Sequence, residues 1–154
     1  MGIEIERKFL VKSDAWRVGA TPVLIRQGYL SADGAITVRV RVKGDAGFIT
    51  IKGAPVGPTR AEYEYAIPLA DANEMLDTLC LRPLIEKVRH LVTCDGVLWE
   101  VDEFLNENAP LVVAEVELSA ASQKVTLPEW VGPEVTSDPR YSNSNLSKRP
   151  YSTW

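Results

Sequence analysis

Histidine occurs once in this 154-residue chain, as His90, and cysteine twice, as Cys80 and Cys94. A single histidine excludes an HExxH zinc site and leaves Ser–His or Cys–His catalysis with one possible base. The cysteines have no paired spacing, so there is neither a zinc knuckle nor a redox CxxC motif; both read as reduced, mostly buried small hydrophobes. No long apolar run is present, and Met1-Gly2-Ile3-Glu4-Ile5-Glu6 lacks a signal-peptide core and the hydroxyl residue of a myristoylation signal. A soluble, cytoplasmic protein is expected. Walker A and GxGxxG loops are missing, as are repeats, low-complexity tracts and any linker long enough to separate domains. One domain over residues 1–154 follows. A net charge of -4, from 17 Lys and Arg against 21 Asp and Glu, speaks against nucleic-acid or anionic-membrane binding, which needs a net basic face.

What the chain does have is alternation of apolar and charged residues, the period of a half-buried strand. It runs through Ile3–Phe9 and, after a short helix near Ser13–Arg17, through Val23–Ser31. Asp33-Gly34 reads as a hairpin turn into Ile36–Lys43, and Gly44-Asp45-Ala46-Gly47 as a turn into Phe48–Lys52. The Gly53–Pro58 loop leads to Arg60–Ile67. A helix over Asp71–Leu81 is expected next, with Asp71 as N-cap and Glu74 closing a capping box. Strands at Leu84–Val92, Val97–Phe104 and Leu111–Leu118 follow, the first two joined at Asp95-Gly96. The Asp138–Lys148 stretch holds a final helix. About eight strands in hairpin order with little helix predict a mainly β (α+β) fold: an eight-stranded antiparallel β-barrel with a few flanking helices.

Residues i and i+2 of a strand share a face. Glu4, Glu6 and Lys8 therefore point one way, as do Arg39, Arg41 and Lys43; Glu62 and Glu64; Lys87 and Arg89; Glu100 and Asp102; and Glu115 and Glu117. Lys52 opposes Ile49 and Ile51, and Tyr29 shares a face with Gln27 and Ser31. Two arrangements satisfy this pattern: charges outward around an apolar core, or charges lining the lumen. Solvated faces are the commoner cause of such alternation, but they interleave signs. Here whole strands are acidic or basic. Paired glutamates suit one hard cation, and paired Arg and Lys suit phosphate oxygens.

The run Glu4-Ile5-Glu6-Arg7-Lys8-Phe9-Leu10 resembles the N-terminal ExExK signature of the CYTH, or triphosphate tunnel metalloenzyme, superfamily. The likeness continues through Val38-Arg39-Val40-Arg41, Thr50-Ile51-Lys52, Glu62-Tyr63-Glu64, Glu86-Lys87-Val88-Arg89, Trp99-Glu100-Val101-Asp102, Ala114-Glu115-Val116-Glu117 and Arg140-Tyr141-Ser142-Asn143. It covers nearly the whole chain and looks most like the short bacterial members. The resemblance implies a barrel whose charges face inward. It makes Glu4, Glu6, Glu115 and Glu117 metal ligands, with Asp102, Glu62 and Glu64 beside them. Lys8, Arg39, Arg41, Lys52, Lys87 and Arg89 become a triphosphate cradle, and Lys8 with Tyr29 a catalytic dyad. Lys43 matches no motif and reads as a solvated turn residue, and the C-terminal segment resembles a helix that closes one tunnel mouth.

The implied activity is hydrolysis of inorganic triphosphate to phosphate and pyrophosphate with two divalent cations, Mg²⁺ or Mn²⁺. Thiamine triphosphatase, class IV adenylate cyclase and a non-catalytic polyphosphate or nucleotide sensor are the alternatives on the same scaffold. A base or thiazole would favour an aromatic wall, and the inward face offers few aromatics beyond Tyr29, Phe48 and Phe104. Inward charges leave Tyr63, Tyr65, Trp99, Val112 and Val116 outside, so the helix, the tail and a homodimer interface are expected to cover them.

Overall fold

β-Branched residues on one parity and charged residues on the other let every long strand pair on both edges while separating two chemically distinct faces. The computed structural model, which describes residues 2–32 and 34–154, closes these strands into a barrel. Its strands are β1 (Ile3–Val11), β2 (Thr21–Ser31), β3 (Thr37–Lys43), β4 (Ala46–Lys52), β5 (Thr59–Ile67), β6 (Ile85–Cys94), β7 (Val97–Phe104) and β8 (Val112–Glu117). The order β5-β4-β3-β2-β6-β7-β8-β1 is closed by β1 pairing with β5. Pairing is antiparallel throughout, with Lys8 opposite Glu115, Tyr29 opposite Arg39, and Glu4 opposite Arg60.

Turn chemistry fixes several of these registers. Asp95 and Gly96 both have positive φ, 51° and 74°, the pattern of a two-residue hairpin turn whose twist matches the flanking strands. The β3–β4 turn is tighter than expected: Lys43 pairs with Ala46, so Gly44 and Asp45 make the turn and Gly47 belongs to β4. The expected Asp33-Gly34 turn includes Asp33, which lies outside the described residues.

Helix α1 (Leu69–Thr78) starts two residues before the expected cap. Pro68, not Asp71, is the N-cap, with no side-chain cap bond, and Asp71 sits in the first turn, where its charge favours the helix dipole. Ala72 and Leu76 bury against Val40 on the outer face of β3, and Arg26 of β2 bonds Asn73 and Asp77. The expected N-terminal helix is one 3₁₀ turn, Ala15–Arg17. The expected C-terminal helix divides into a 3₁₀ turn at Pro139–Tyr141 and α2 (Asn143–Lys148), because Ser142 caps α2 through Asn145 N. A ninth strand, β9 (Val131–Glu134), is not legible in the sequence; it adds to β1 outside the barrel.

The apolar core lies mostly around the barrel. Trp16, Trp130 and Val131 cover Phe9, Trp99, Val101, Ala114 and Val116, so Trp99 and Val116, expected at the outer face, are buried there. Arg17 pairs with Glu103 and Trp16 packs on His90, which fastens the 3₁₀ turn to β6 and β7. One end of the lumen is apolar too. Ile85, Phe104 and Val113 share the inward parity of Lys87, Asp102 and Glu115, and they pack on Val135, Tyr141 and Leu146. The C-terminal segment thus plugs the barrel with its own core. Leu146 is fully buried, and its truncation to alanine costs about 2–5 kcal/mol. By contrast Ile3, Ile51, Tyr63 and Tyr65, on the outer faces of β1, β4 and β5, stay exposed. Among the described residues no helix is long and apolar enough to cross a membrane.

Candidate functional site

Above the apolar plug the lumen is a charged cavity of about 210 Å³. Its wall carries Glu4, Glu6, Lys8, Tyr29, Arg39, Arg41, Lys52, Glu62, Glu64, Lys87, Arg89, Glu100, Glu115 and Glu117, so charges face inward. Tyr29 is the sole aromatic of that wall among the described residues. Phe104 belongs to the plug core, and Phe48 does not line the cavity.

The deepest layer is basic. Arg39, Arg41, Lys87 and Arg89 are buried, and Asp102 lies between the last two. Asp102 Oδ1 accepts from Arg89 Nε at 2.8 Å; Oδ2 accepts from Lys87 Nζ at 2.7 Å and Arg89 Nη2 at 3.0 Å. Burial alone would raise its pKa, but Arg89 and Lys87 outweigh that and hold the carboxyl well below the usual range. Asp102 is therefore off the cavity wall with both oxygens committed to cations, although it lies close enough to Glu115 to raise that carboxyl and shares Arg89 with it.

Counter-charge is unevenly spread in this layer: Arg89 meets Asp102, Glu100 and Glu115, which hold its pKa up, whereas Arg41 makes no ion pair among the described residues. Burial, then Arg39 and Arg89, push the Arg41 guanidinium down to about 9. Burial also pushes Lys87 down, with Arg89 and Arg41 adding to the effect against Asp102. Arg39 bonds Thr50 Oγ1 at 3.2 Å and lies 3.6 Å from Glu64, but its Nε is buried with no partner. Buried polar atoms are almost always satisfied, and an orphaned guanidinium N–H beside a cavity is a donor that an anionic oxygen would satisfy.

The opposite wall and rim are acidic. Lys52 pairs with Glu4 at 2.9 Å and Glu62 at 3.3 Å. Lys8 lies 3.7 Å from Glu6 and 3.9 Å from Glu115, and Arg89 reaches Glu100 at 3.1 Å. Burial would lower Lys8, but Glu6, Glu115 and Tyr29 raise it overall, so it stays an ammonium. Burial and the neighbouring carboxylates raise three acids: Glu4 beside Glu62, Glu115 beside Glu6, and Glu117 beside Glu4 and Glu100. Among the described residues no three acids, histidines or cysteines are already gathered in metal-ligand geometry. An all-oxygen donor set whose members repel one another nevertheless fits a hard divalent cation, which would relieve that repulsion.

Strand parity also brings in two cations that no motif names. Lys43 is no solvated turn residue: it ends β3 and lines the cavity two positions beyond Arg41. Arg60 lines it as well, two positions before Glu62, with its Nε on Gly53 O at 3.0 Å. Gln27 and the Ser142-Asn143-Ser144 segment complete the site from β2 and from the plug. A groove of about 770 Å³ adjoins the cavity through Glu6, Lys8, Thr37 and Arg60, and runs past Pro55, Gly57 and Pro58; it too has no aromatic residue among those described.

Known proteins share this architecture. The CYTH domain model matches residues 2–151. A protein of Acetivibrio thermocellus named inorganic triphosphatase is 53% identical over 151 residues, 98% of this chain and 97% of that protein. A protein of Nitrosomonas europaea with the same name is 39% identical over 149 residues, covering 94% and 96%. The crystal structure of the inorganic triphosphatase NE1496 superimposes with a TM-score of 0.66 at 36% identity, covering 94% of this chain and 93% of that one. With its ExExK strand and its inward-facing charges, the chain belongs to the CYTH domain family.

Proposed function

We propose that this protein hydrolyses inorganic triphosphate to phosphate and pyrophosphate in the barrel cavity. The observation that carries the reading is a buried basic layer, Arg39, Arg41, Lys87 and Arg89, in which Arg39 Nε has no partner and Arg41 makes no ion pair among the described residues, set in walls whose one aromatic among those residues is Tyr29. Buried guanidinium and ammonium groups grip a chain of phosphates, and Tyr29 apart no aromatic among the described residues of the cavity or its groove would stack a nucleobase or a thiazole. The names of the full-length relatives point the same way.

In this reading Arg39, Arg41, Lys52, Lys87 and Arg89 bind the phosphate oxygens. Asp102 orients Lys87 and Arg89 and is assigned that positioning role in place of metal binding. Glu4, Glu6, Glu62, Glu64, Glu115 and Glu117 would hold two divalent cations, Mg²⁺ or Mn²⁺. Bound there, such ions supply charge neutralisation and a lowered pKa for a coordinated water. Lys8, kept protonated by Glu6 and Glu115, cannot accept a proton; it stabilises charge on a phosphoryl oxygen, with the Tyr29 phenol beside it. Water adds to the terminal phosphorus and the bond to the bridging oxygen breaks, leaving pyrophosphate with the electron pair, while the proton of the water passes to a phosphate oxygen of the products. The exposed strip of Ile3, Ile51, Tyr63 and Tyr65 supports a homodimer.

Phosphate release from triphosphate, ATP and thiamine triphosphate, measured side by side with cyclic AMP detection, tests the reading. Triphosphate is expected to be preferred, and excess chelator to abolish turnover. Preference for ATP or thiamine triphosphate, cyclic AMP formation, or tight triphosphate binding without product would each replace it with an alternative activity.

A further inference from the structure

Two amides stand among the cations of the cradle, Asn143 on the cavity wall and Gln27 buried behind it. Gln27, fully buried on β2, accepts from Arg41 Nε through Oε1 at 2.8 Å and donates through Nε2 to Asn143 Oδ1 at 3.0 Å. Asn143 arrives on the plug, and its Oδ1 also accepts from Lys87 Nζ at 3.0 Å. Arg41, Gln27, Asn143, Lys87, Asp102 and Arg89 therefore form one continuous buried chain of hydrogen bonds.

The chemistry of this chain is selective. Asp102 orients its cations by cancelling their charge, whereas Gln27 and Asn143 are neutral and orient Arg41 and Lys87 while leaving that charge available to a ligand. Two donors on Asn143 Oδ1 also decide which way the amide is turned. Its Nδ2 is left with hydrogens to offer and no hydrogen-bond partner among the described residues, in a side chain that lines the cavity with Ser142 and Ser144. Tyr141 and Leu146, packed in the plug core, hold this segment at a fixed depth.

We propose that Asn143 is a substrate-binding residue at the closed end of the cavity. Its Nδ2 donates to an oxygen of the terminal phosphate, and Gln27 is the positioning residue that fixes Asn143 and Arg41. The inference deepens the triphosphatase reading and rests on it for the identity of the ligand. It makes the plug a recognition surface as well as a stopper: an unesterified terminal phosphate offers three non-bridging oxygens to the floor, whereas an esterified one offers two and must place its organic group there.

The test compares Asn143→Ala, Asn143→Asp and Gln27→Met with Ser147→Ala. Ser147 sits on the same short helix and donates to Pro83 O at 2.9 Å, outside the cavity, so its loss loosens the plug alone. For each variant kcat and KM for triphosphate are measured, together with the Kd for triphosphate by calorimetry in excess chelator and the melting temperature. Loss of a hydrogen bond to a charged phosphate predicts that Asn143→Ala raises KM and Kd about tenfold or more. Asn143→Asp, which sets a carboxylate against the polyanion, raises both further. Gln27→Met raises both as well, and combined with Asn143→Ala it costs less than the product of the two losses. Ser147→Ala lowers the melting temperature and leaves KM and Kd unchanged. If Asn143→Ala behaves like Ser147→Ala, Asn143 is structural and the inference is overturned. Wild-type turnover judges the triphosphatase reading separately: a protein that binds triphosphate without cleaving it loses that reading, and the ratio of variant to wild-type Kd still decides the role of Asn143.

Discussion

Asp102→Asn separates two roles that the sequence pattern leaves together, metal ligand and buried counter-ion. The native side chain is fully buried and accepts three hydrogen bonds, two from Arg89 and one from Lys87. Asparagine keeps the shape but removes the negative charge and turns an N–H₂ group toward one of the cations. Breaking a buried ion pair by removing one partner costs about 3–5 kcal/mol, chiefly because the other charge is left without compensation. For a chain of this length, roughly 2–4 °C per kcal/mol converts that to a melting temperature lowered by about 6–20 °C. Differential scanning calorimetry of the metal-free, ligand-free protein reads it directly. Glu115→Gln is the control, since it removes a buried charge whose pKa is raised by burial and by Glu6 and therefore costs the ligand-free fold far less. Inorganic triphosphate narrows the gap between wild type and Asp102→Asn, because the polyanion supplies the charge the variant lacks. The sign with pH follows from the depressed pKa of Asp102. Its stabilisation is present above the ordinary carboxylate range and is lost only as pH falls through the depressed value, so the gap persists in mild acid. An Asp102→Asn protein that melts within about 2 °C of wild type, yet no longer responds to divalent cations, would refute the counter-ion role and restore metal binding.

The acidic rim gives a prediction of opposite sign. Glu4, Glu115 and Glu117 have folded pKa values raised above the ordinary 4.5, so they favour the ligand-free fold at low pH and lose that contribution as pH rises. Cation binding needs them ionised; Mg²⁺- or Mn²⁺-induced thermal stabilisation should therefore fade above pH 4.5 as pH falls, and Glu4→Gln or Glu115→Gln should abolish metal-dependent turnover without unfolding the protein. A metal-induced shift constant down to pH 4.5 would contradict the assignment. On the outer face, Tyr63→Lys with Tyr65→Lys should convert a dimer to a monomer in size-exclusion chromatography with light scattering, and a wild type that elutes as a monomer removes the homodimer.

The fold is legible in the sequence because strand parity is a local property. Glu4, Glu6 and Lys8, or Arg39 and Arg41, fall on one face whatever their partners, and Asp95-Gly96 marks its hairpin without tertiary help. Parity also points to Gln27, Lys43 and Arg60, but weakly: no motif names Lys43, and Arg60 has no charged neighbour of its own sign on β5. Sequence alone leaves open whether the charged parity turns inward. That depends on what covers the other parity, and the cover comes from distant segments, Trp16, Trp130, Val131 and α1. β9 is illegible because four residues with a glycine and a proline, Val131–Glu134, show no period, and only pairing with β1 makes them a strand.

Sequence by itself determined strand parity and which charges share a face, since both follow from residues a few positions apart, and its ExExK run with the motifs after it carried the likeness to the CYTH family. Tertiary structure decided how the charges divide their work. Asp102 and Glu100 share a parity and a strand, and the β6–β7 hairpin sets Asp102 opposite Arg89, yet only the closed barrel buries Asp102 completely and leaves Glu100 on the cavity wall. Asn143 lies 56 residues from Lys87 along the chain and reaches it only because the apolar plug is driven into the barrel end. A charge's role is set by the dielectric and the partners that folding assembles around it, and a strand's alternation carries neither.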